Sequence, residues 1–314
     1  MAVLCAALGH LARTVRNHAQ TALLRIGAPA VLPLCALLQS PDPEIRGRAV
    51  YVLGELADPR AAAPLCACLA DDDWQLRRAA VEALGRLGGP AVESIARVLR
   101  EGRGQARWWA VDGLGETGSP AAVPILCEAL TDGEAVVRRQ AAQAIGKLGG
   151  PQAVEALLRA ARDPSPPVRE MVAEALGRLE AKAALPVLIE ALSDGACQVR
   201  GAAATALGRL AAAAAVAPLC HALDDEDSFV SWRAAGALTE VAGRAPTPLL
   251  RAALPSLRRL QSFLSFEGSR QRETYARAIV CIEAATVSAN LPVPAATPVP
   301  DVHVLPVPGS NTEK

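Results

Sequence analysis

An apolar residue followed by Arg recurs along the chain at Arg16, Arg46, Arg77, Arg107, Arg138, Arg169 and Arg200, in steps of 30 or 31 residues. Seven positions after each Arg stands an aliphatic residue: Leu23, Leu53, Leu84, Leu114, Ile145, Leu176 and Leu207. From Leu53 onward Gly follows it, at Gly54, Gly85, Gly115, Gly146, Gly177 and Gly208. An eighth unit keeps the register with Ser231 in the Arg position and Leu238 seven residues later. A single closed core imposes no such period. A stack of units, each burying an apolar face against the next, requires it.

Composition decides what the units are made of. Apolar residues are 51% of the chain and aromatics only 3%, so the apolar mass is Ala, Leu and Val. Those residues suit closely spaced helices better than the β-branched and aromatic faces of a sandwich or barrel. In the third unit the pattern predicts a first helix over Leu76–Leu87, stopped by Gly88-Gly89-Pro90, and a second over about Ala91–Leu99. Small residues three and six positions after the Arg mark a stacking face, at Ala80 and Ala83, Ala141 and Ala144, and Ala203 and Ala206. The expected architecture is all-α: a right-handed α-solenoid of about eight stacked two-helix repeats of about 31 residues, spanning residues 1–254.

Both ends depart from the pattern. The array opens on half a repeat, MAVLCAAL, with no polar cap, so this end is expected to be trimmed or covered by a partner or a second copy. Residues 255–290 lose the register and read as atypical capping helices, including the amphipathic run RETYARAIVCIEAA. Residues 291–314, LPVPAATPVPDVHVLPVPGSNTEK, read as a disordered, proline-rich tail. The formal net charge is zero, which argues against nucleic acid and anionic membrane as partners. The first residues make a poor signal peptide and no apolar run reaches the length of a membrane span, so the expected location is cytoplasmic.

The run "acidic residue, five residues, Arg, then A-x-x-A-L-G-x-L-G, then A-V-P-x-L" resembles HEAT repeats, and more narrowly the short phycobilisome-lyase HEAT-like type. It is written as DGEAVVRRQAAQAIGKLGGPQAVEALLRAA from Asp132 and as DPSPPVREMVAEALGRLEAKAALPVLIEAL from Asp163. The resemblance covers roughly residues 1 to 255 and fixes fold far better than activity. It implies scaffolds and adaptors first, and chromophore lyases second. It also implies an iron-dependent hydroxylase that binds metal through His-Glu pairs. Here His10, His18, His221 and His303 are followed by Leu, Ala, Ala and Val, so those ligands are missing.

Subtracting the repeat disposes of most candidate sites. Acidic residues six before each Arg (Asp71, Glu101, Asp132, Asp163, Asp194, Asp225) are expected to hold helix N-terminal amides and pair with Arg of their own or a neighbouring unit. Cys5, Cys35, Cys66, Cys127 and Cys220 share a second-helix slot that elsewhere holds Ala96, Leu158 and Ile189, an apolar packing position. Stacked helices lie about 8–10 Å apart, beyond the roughly 7 Å Cα reach of a disulfide. The thiols are therefore expected to be free. No nucleophile, phosphate loop or metal set emerges, and no cofactor is expected.

Two sets of residues remain as candidate partner contacts. As in the family it resembles, the chain is expected to line its concave face with second helices. That would present the striped row Arg97, Arg100, Glu128, Arg159, Arg162, Glu190 and His221 to a protein or peptide. Trp108, Trp109 and Trp232 sit at or beside a position that elsewhere holds Asn17, Gly47, Arg78 and Glu170, which marks them as exposed anchors. The leading function is a non-enzymatic protein-interaction scaffold. The alternatives are a phycobilin lyase subunit or chaperone-like factor and, more remotely, a DNA-binding solenoid using Trp108, Trp109 and Asp112. Neutral charge and an outer-face position of those Trp residues weigh against the last.

Overall fold

The computed structural model describes residues 1–263 and 270–289; the proline-rich segment 291–314 lies outside them. Among the described residues there are eighteen α-helices and no strand. First helices run Arg13–Ile26, Pro43–Leu56, Trp74–Leu87, Gln105–Glu116, Ala135–Leu148, Pro166–Arg178, Cys197–Leu210 and Ser228–Arg244. Second helices are shorter: Ala2–Ala7, Val31–Leu37, Ala62–Ala67, Val92–Glu101, Ala122–Ala129, Pro151–Ala160, Leu185–Ala191, Val216–Ala222 and Leu254–Phe263. The units are numbered one to eight by the Arg position, Arg16 to Ser231.

Local chemistry sets the helix ends. Asp42, Asp73 and Asp227 cap first helices by accepting from the amides of Glu44, Gln75 and Phe229. Asp73 lets the third first helix begin at Trp74, two residues earlier than periodicity predicts. Gly27, Gly88 and Gly149 stop helices at positive φ (71°, 64° and 71°), where glycine carries no Cβ penalty. Ala57, Glu180 and Ala211 make similar turns with φ between 47° and 49°, at some cost in backbone strain.

The aliphatic residue seven after each Arg is fully buried in every unit, from Leu23 to Leu238. Around this spine the two layers are spaced differently. An added Cβ on Gly54, Gly115, Gly146, Gly177 or Gly208 would lie 2.6–3.0 Å from the Cβ of Ala83, Ala144, Ala175, Ala206 or Ala237 in the next unit. First helices therefore touch backbone to backbone, whereas neighbouring second helices stand further apart. In a stack with equal numbers of units in each layer, the tighter layer lies on the inside of the bend. This corrects the expectation that second helices line the concave face: first helices form the inner layer. Their small residues at positions three, six and eight after the Arg cause it.

The loss of register after residue 254 does not end the stacking. Arg270–Ala289 lies against Ser228–Arg244 as a further first helix, and Leu254–Phe263 packs beside it. At the opposite end, Val3 and Leu11 are 80% and 96% exposed beside the half repeat. No single helix among the described residues is long and apolar enough to cross a membrane.

Candidate functional site

A ladder of arginines fixes the geometry of the inner layer. Each guanidinium donates to carbonyl oxygens in its own turn: Arg138 to Asp132 (2.8 Å), Arg169 to Asp163 (2.8 Å) and Arg200 to Asp194 (2.9 Å). It then reaches the acidic residue 25 positions on, in the next unit. Arg138 pairs with Asp163 at 2.6 Å, Arg169 with Asp194 at 2.7 Å and Arg200 with Asp225 at 2.8 Å, each through two nitrogens. Arg46–Asp71 (3.2 Å) and Arg107–Asp132 continue the series. The aspartates also accept from the amide two residues ahead, as Asp163 does from Ser165 at 2.8 Å. Burial alone would raise the Asp163 carboxyl, but the hydrogen bonds from Arg138 prevail and hold it below the ordinary carboxylate range. For Asp194 the hydrogen bonds from Arg169 are the main cause of the same downward shift. These acids are structural, as the periodicity predicts.

The ladder lacks a rung at two junctions: at the first the acidic position is Ser40, so Arg16 bonds only to carbonyls of its own turn, and the second lies between units three and four. Glu101 occupies the acidic position of unit four but makes no ion pair with Arg77. The Arg77 guanidinium instead lies 5.6 Å from the Trp109 ring centroid, and its Nε is buried without a partner. Trp108 packs edge-on against Trp109 with ring centroids 4.4 Å apart. Both are half-buried on the inner layer, which corrects their expected outer-face position. Asp112, one turn along, accepts from Gln140 at 2.6 Å, and burial pushes its carboxyl above the ordinary range.

Trp232 is not a free anchor. It is half-buried, and its indole N–H donates to the Thr274 hydroxyl at 2.9 Å, tying unit eight to the last helix. Beside it, Ser231 and Tyr275 share a buried hydroxyl contact of 3.3 Å where the next rung would stand. Sequence reasoning missed this because the partners lie 42 and 44 residues away, outside the period. The tryptophan most open to solvent is Trp74, at 55%.

The second-helix row is exposed but belongs to the outer layer, and much of its charge is paired within the chain. Arg100 pairs with Glu93 at 2.7 Å, Arg159 with Glu155 at 2.7 Å, and Arg162 with Glu190 of the next unit at 3.2 Å. Arg97, Glu128 and His221 are exposed on the same surface. The cysteines keep to their packing slot. Cys5 and Cys66 are buried, the other three are half-buried, and all are free thiols. Burial pushes the Cys66 thiol up to about 12 and that of Cys220 to about 11. No group of three His, Cys, Asp or Glu among the described residues could hold a metal ion.

On the inner layer, positions one, five and nine after the Arg stay accessible, Gly201 apart, and here the units differ most. Hollows interrupt this surface, two of them framed by charged side chains of successive units. One, of about 410 Å³ between units one to three, is edged by Gln20, Glu44, Arg48 and Tyr51, the last 47% exposed. The other, of about 280 Å³ between units six to eight, is edged by Glu174, Arg178, Thr205, Arg209, Phe229 and Arg233. Unit seven carries two small residues in succession, Gly201 and Ala202, where every other unit has at least one long side chain. The Phe229 ring fills the space a Cβ on Gly201 would need. Neither Phe229 nor Arg233 has a sequence signal; the consecutive small pair Gly201-Ala202 is the one available hint.

A family model described as HEAT repeats matches residues 1–85, 33–108, 64–144, 123–196 and 185–262. Among solved structures the chain is similar to one from the complex of Kap95p with RanGDP, with TM-score 0.64, 15% identity, and 92% of this chain against 48% of that one. It is similar to importin beta, with TM-score 0.60, 15% identity, and 91% against 46%. The YibA protein of Escherichia coli aligns with TM-score 0.54, 17% identity, and 87% against 98%. The chain thus spans about half the length of the first two, and at these identities the likeness is one of fold. No curated protein matches the chain.

Proposed function

Because the chain belongs to the HEAT-repeat family, we propose that it is a protein-interaction scaffold gripping a partner segment along the inner face of its first helices. The observation that carries this reading is the placement of Tyr51, Trp108 and Trp109 at accessible or half-buried positions of an otherwise small and polar inner layer. Large amphipathic rings at such positions supply contact area at low entropic cost. Kap95p, from a complex that contains a solenoid of this fold, binds RanGDP, so the architecture suits a protein ligand.

The test is site-specific photo-crosslinking in the native host. A crosslinker replacing Gln143 on the inner face should capture a partner, and one replacing Arg159 on the outer face should not. Capture from Arg159 alone would overturn the assignment. The half repeat with exposed Val3 and Leu11 supports end-to-end self-association as a second contact, and sedimentation of Leu11→Glu against the parent chain checks it. The 31-residue period also supports the narrower bilin-attachment reading. An unchanged visible spectrum on mixing with phycocyanobilin would remove it.

A further inference from the structure

We infer that the hollow between units six and eight recognises a carboxylate-bearing, acidic peptide segment of the partner. This rests on the inner-face reading above and narrows it to a chemical class. Arg209 and Arg233 stand on adjacent first helices at the hollow's edge, and neither forms an ion pair among the described residues. Many other inner-layer cations are engaged: Arg46, Arg107, Arg138, Arg169 and Arg200 with aspartates, Arg86 with Glu55 at 3.3 Å, and Lys147 with Glu116 at 2.7 Å. Two unpaired guanidiniums converging on one concavity are an exception to the molecule's own pattern.

Arg233 is also held in place. Its guanidinium lies 5.0 Å from the Phe229 ring centroid and 5.2 Å from that of Trp232, while its Nε is buried without a partner. Phe229 rests over Gly201, and Trp232 is tethered to Thr274 at 2.9 Å. A planar fork clamped by two rings loses little freedom on meeting a carboxylate. Across the hollow, Glu174 faces Arg178 at 3.9 Å, and Glu170 has no ion pair among the described residues. The acids on that rim disfavour a polyanion such as a nucleic acid, whose phosphates would run past both charges. A short acidic stretch, with carboxylates toward Arg209 and Arg233 and its backbone over Ala202 and Thr205, meets the surface without that clash.

The test uses the full chain and a fluorescein-labelled peptide of alternating Glu and Leu, read by fluorescence anisotropy, with the Gln-for-Glu peptide as comparison. The Glu peptide should bind at least tenfold more tightly and weaken as salt rises. Arg233→Glu should abolish that preference. Arg209→Gln, which keeps most of the side chain's bulk at this half-buried position, should weaken it several-fold with the melting temperature unchanged. Arg233→Lys should retain less than half of the gain, because an ammonium lacks the planar fork. Equal binding of the two peptides, or a Glu preference surviving both Arg209→Gln and Arg233→Glu, overturns the proposal. So does displacement by DNA at the same phosphate concentration. Crosslinking at position 143 would still stand in each case, so the scaffold reading fails or survives separately.

Discussion

The junctions from unit five to unit eight and the junction between units three and four are built from one sequence plan and hold together differently. In the former, each Arg is saturated by its own turn and the next unit's Asp, and each Gly rests on an Ala of the next helix. In the latter, Glu101 leaves Arg77 without a carboxylate and Trp109 covers the guanidinium face. The Ala opposite Gly85 is replaced by Gly113, so a Cβ on Gly85 would meet Glu116 instead, at 3.0 Å. The first helix of unit four starts after Gly104 at φ 54°, where those of units five to seven start after the extended residues Glu134, Ser165 and Ala196. Three independent substitutions thus fall at one boundary. A solenoid's stability is roughly a sum of nearest-neighbour terms, and here a mid-array term differs in kind from those of units five to eight.

The largest expected difference is at the rungs. Arg138→Ala removes a bidentate, mostly buried ion pair and two carbonyl contacts, and should cost about 3–4 kcal/mol in urea unfolding. Arg77→Ala removes one cation–π contact and its turn bonds, and should cost about 1–1.5 kcal/mol. Equal losses would show that Trp109 replaces the missing carboxylate in full. Next comes backbone contact. Gly177→Ala forces a Cβ to 2.6 Å from that of Ala206 and should cost about 2 kcal/mol. Gly47→Ala, with nothing within 4 Å, should stabilise by about 0.5–1 kcal/mol. Hydrogen exchange sharpens the contrast: amides of Ala106–Trp108 should open about tenfold more readily than those of Val137–Arg139.

The smallest effect is one of pH. Asp163 and Asp194 titrate below their unfolded values, so their contribution is present above the unfolded pKa and is lost as pH falls through the folded one. Asp112 is shifted upward, so its contribution is full below the unfolded pKa and lost as pH rises through the folded one. Asp112→Asn should therefore stabilise the chain at pH 7 by about 0.5–1 kcal/mol while keeping the Gln140 contact, and should have no such effect at pH 3. A destabilised Asn variant at pH 7 would mean that Lys147 and Gln140 outweigh burial.

Periodicity made the stack, the buried spine, the cysteine slots and the acid–Arg pairing legible, because each depends on residues at fixed offsets within one or two units. The inner layer was misassigned although its cause was in view. Ala80, Ala83 and Gly85 mark where helices approach, and the closer layer is the inner one. What sequence could not supply were contacts outside the period. Trp232 reads as a free anchor until Thr274 is placed beside it, and Arg233 gains its clamp from Phe229 and a gap at Gly201. The candidate site therefore moved from paired charges on second helices to unpaired ones on first helices.

The ladder has one more implication. Because each rung joins residues 25 apart and Asp132 and Asp163 are equivalent, excising residues 132–162 would deliver Asp163 to Arg107 at the spacing Asp132 now occupies. Every remaining rung would keep its partner. Such a chain can lengthen or shorten by whole units in its ancestry without passing through a broken intermediate, carrying its exceptional boundaries along unchanged.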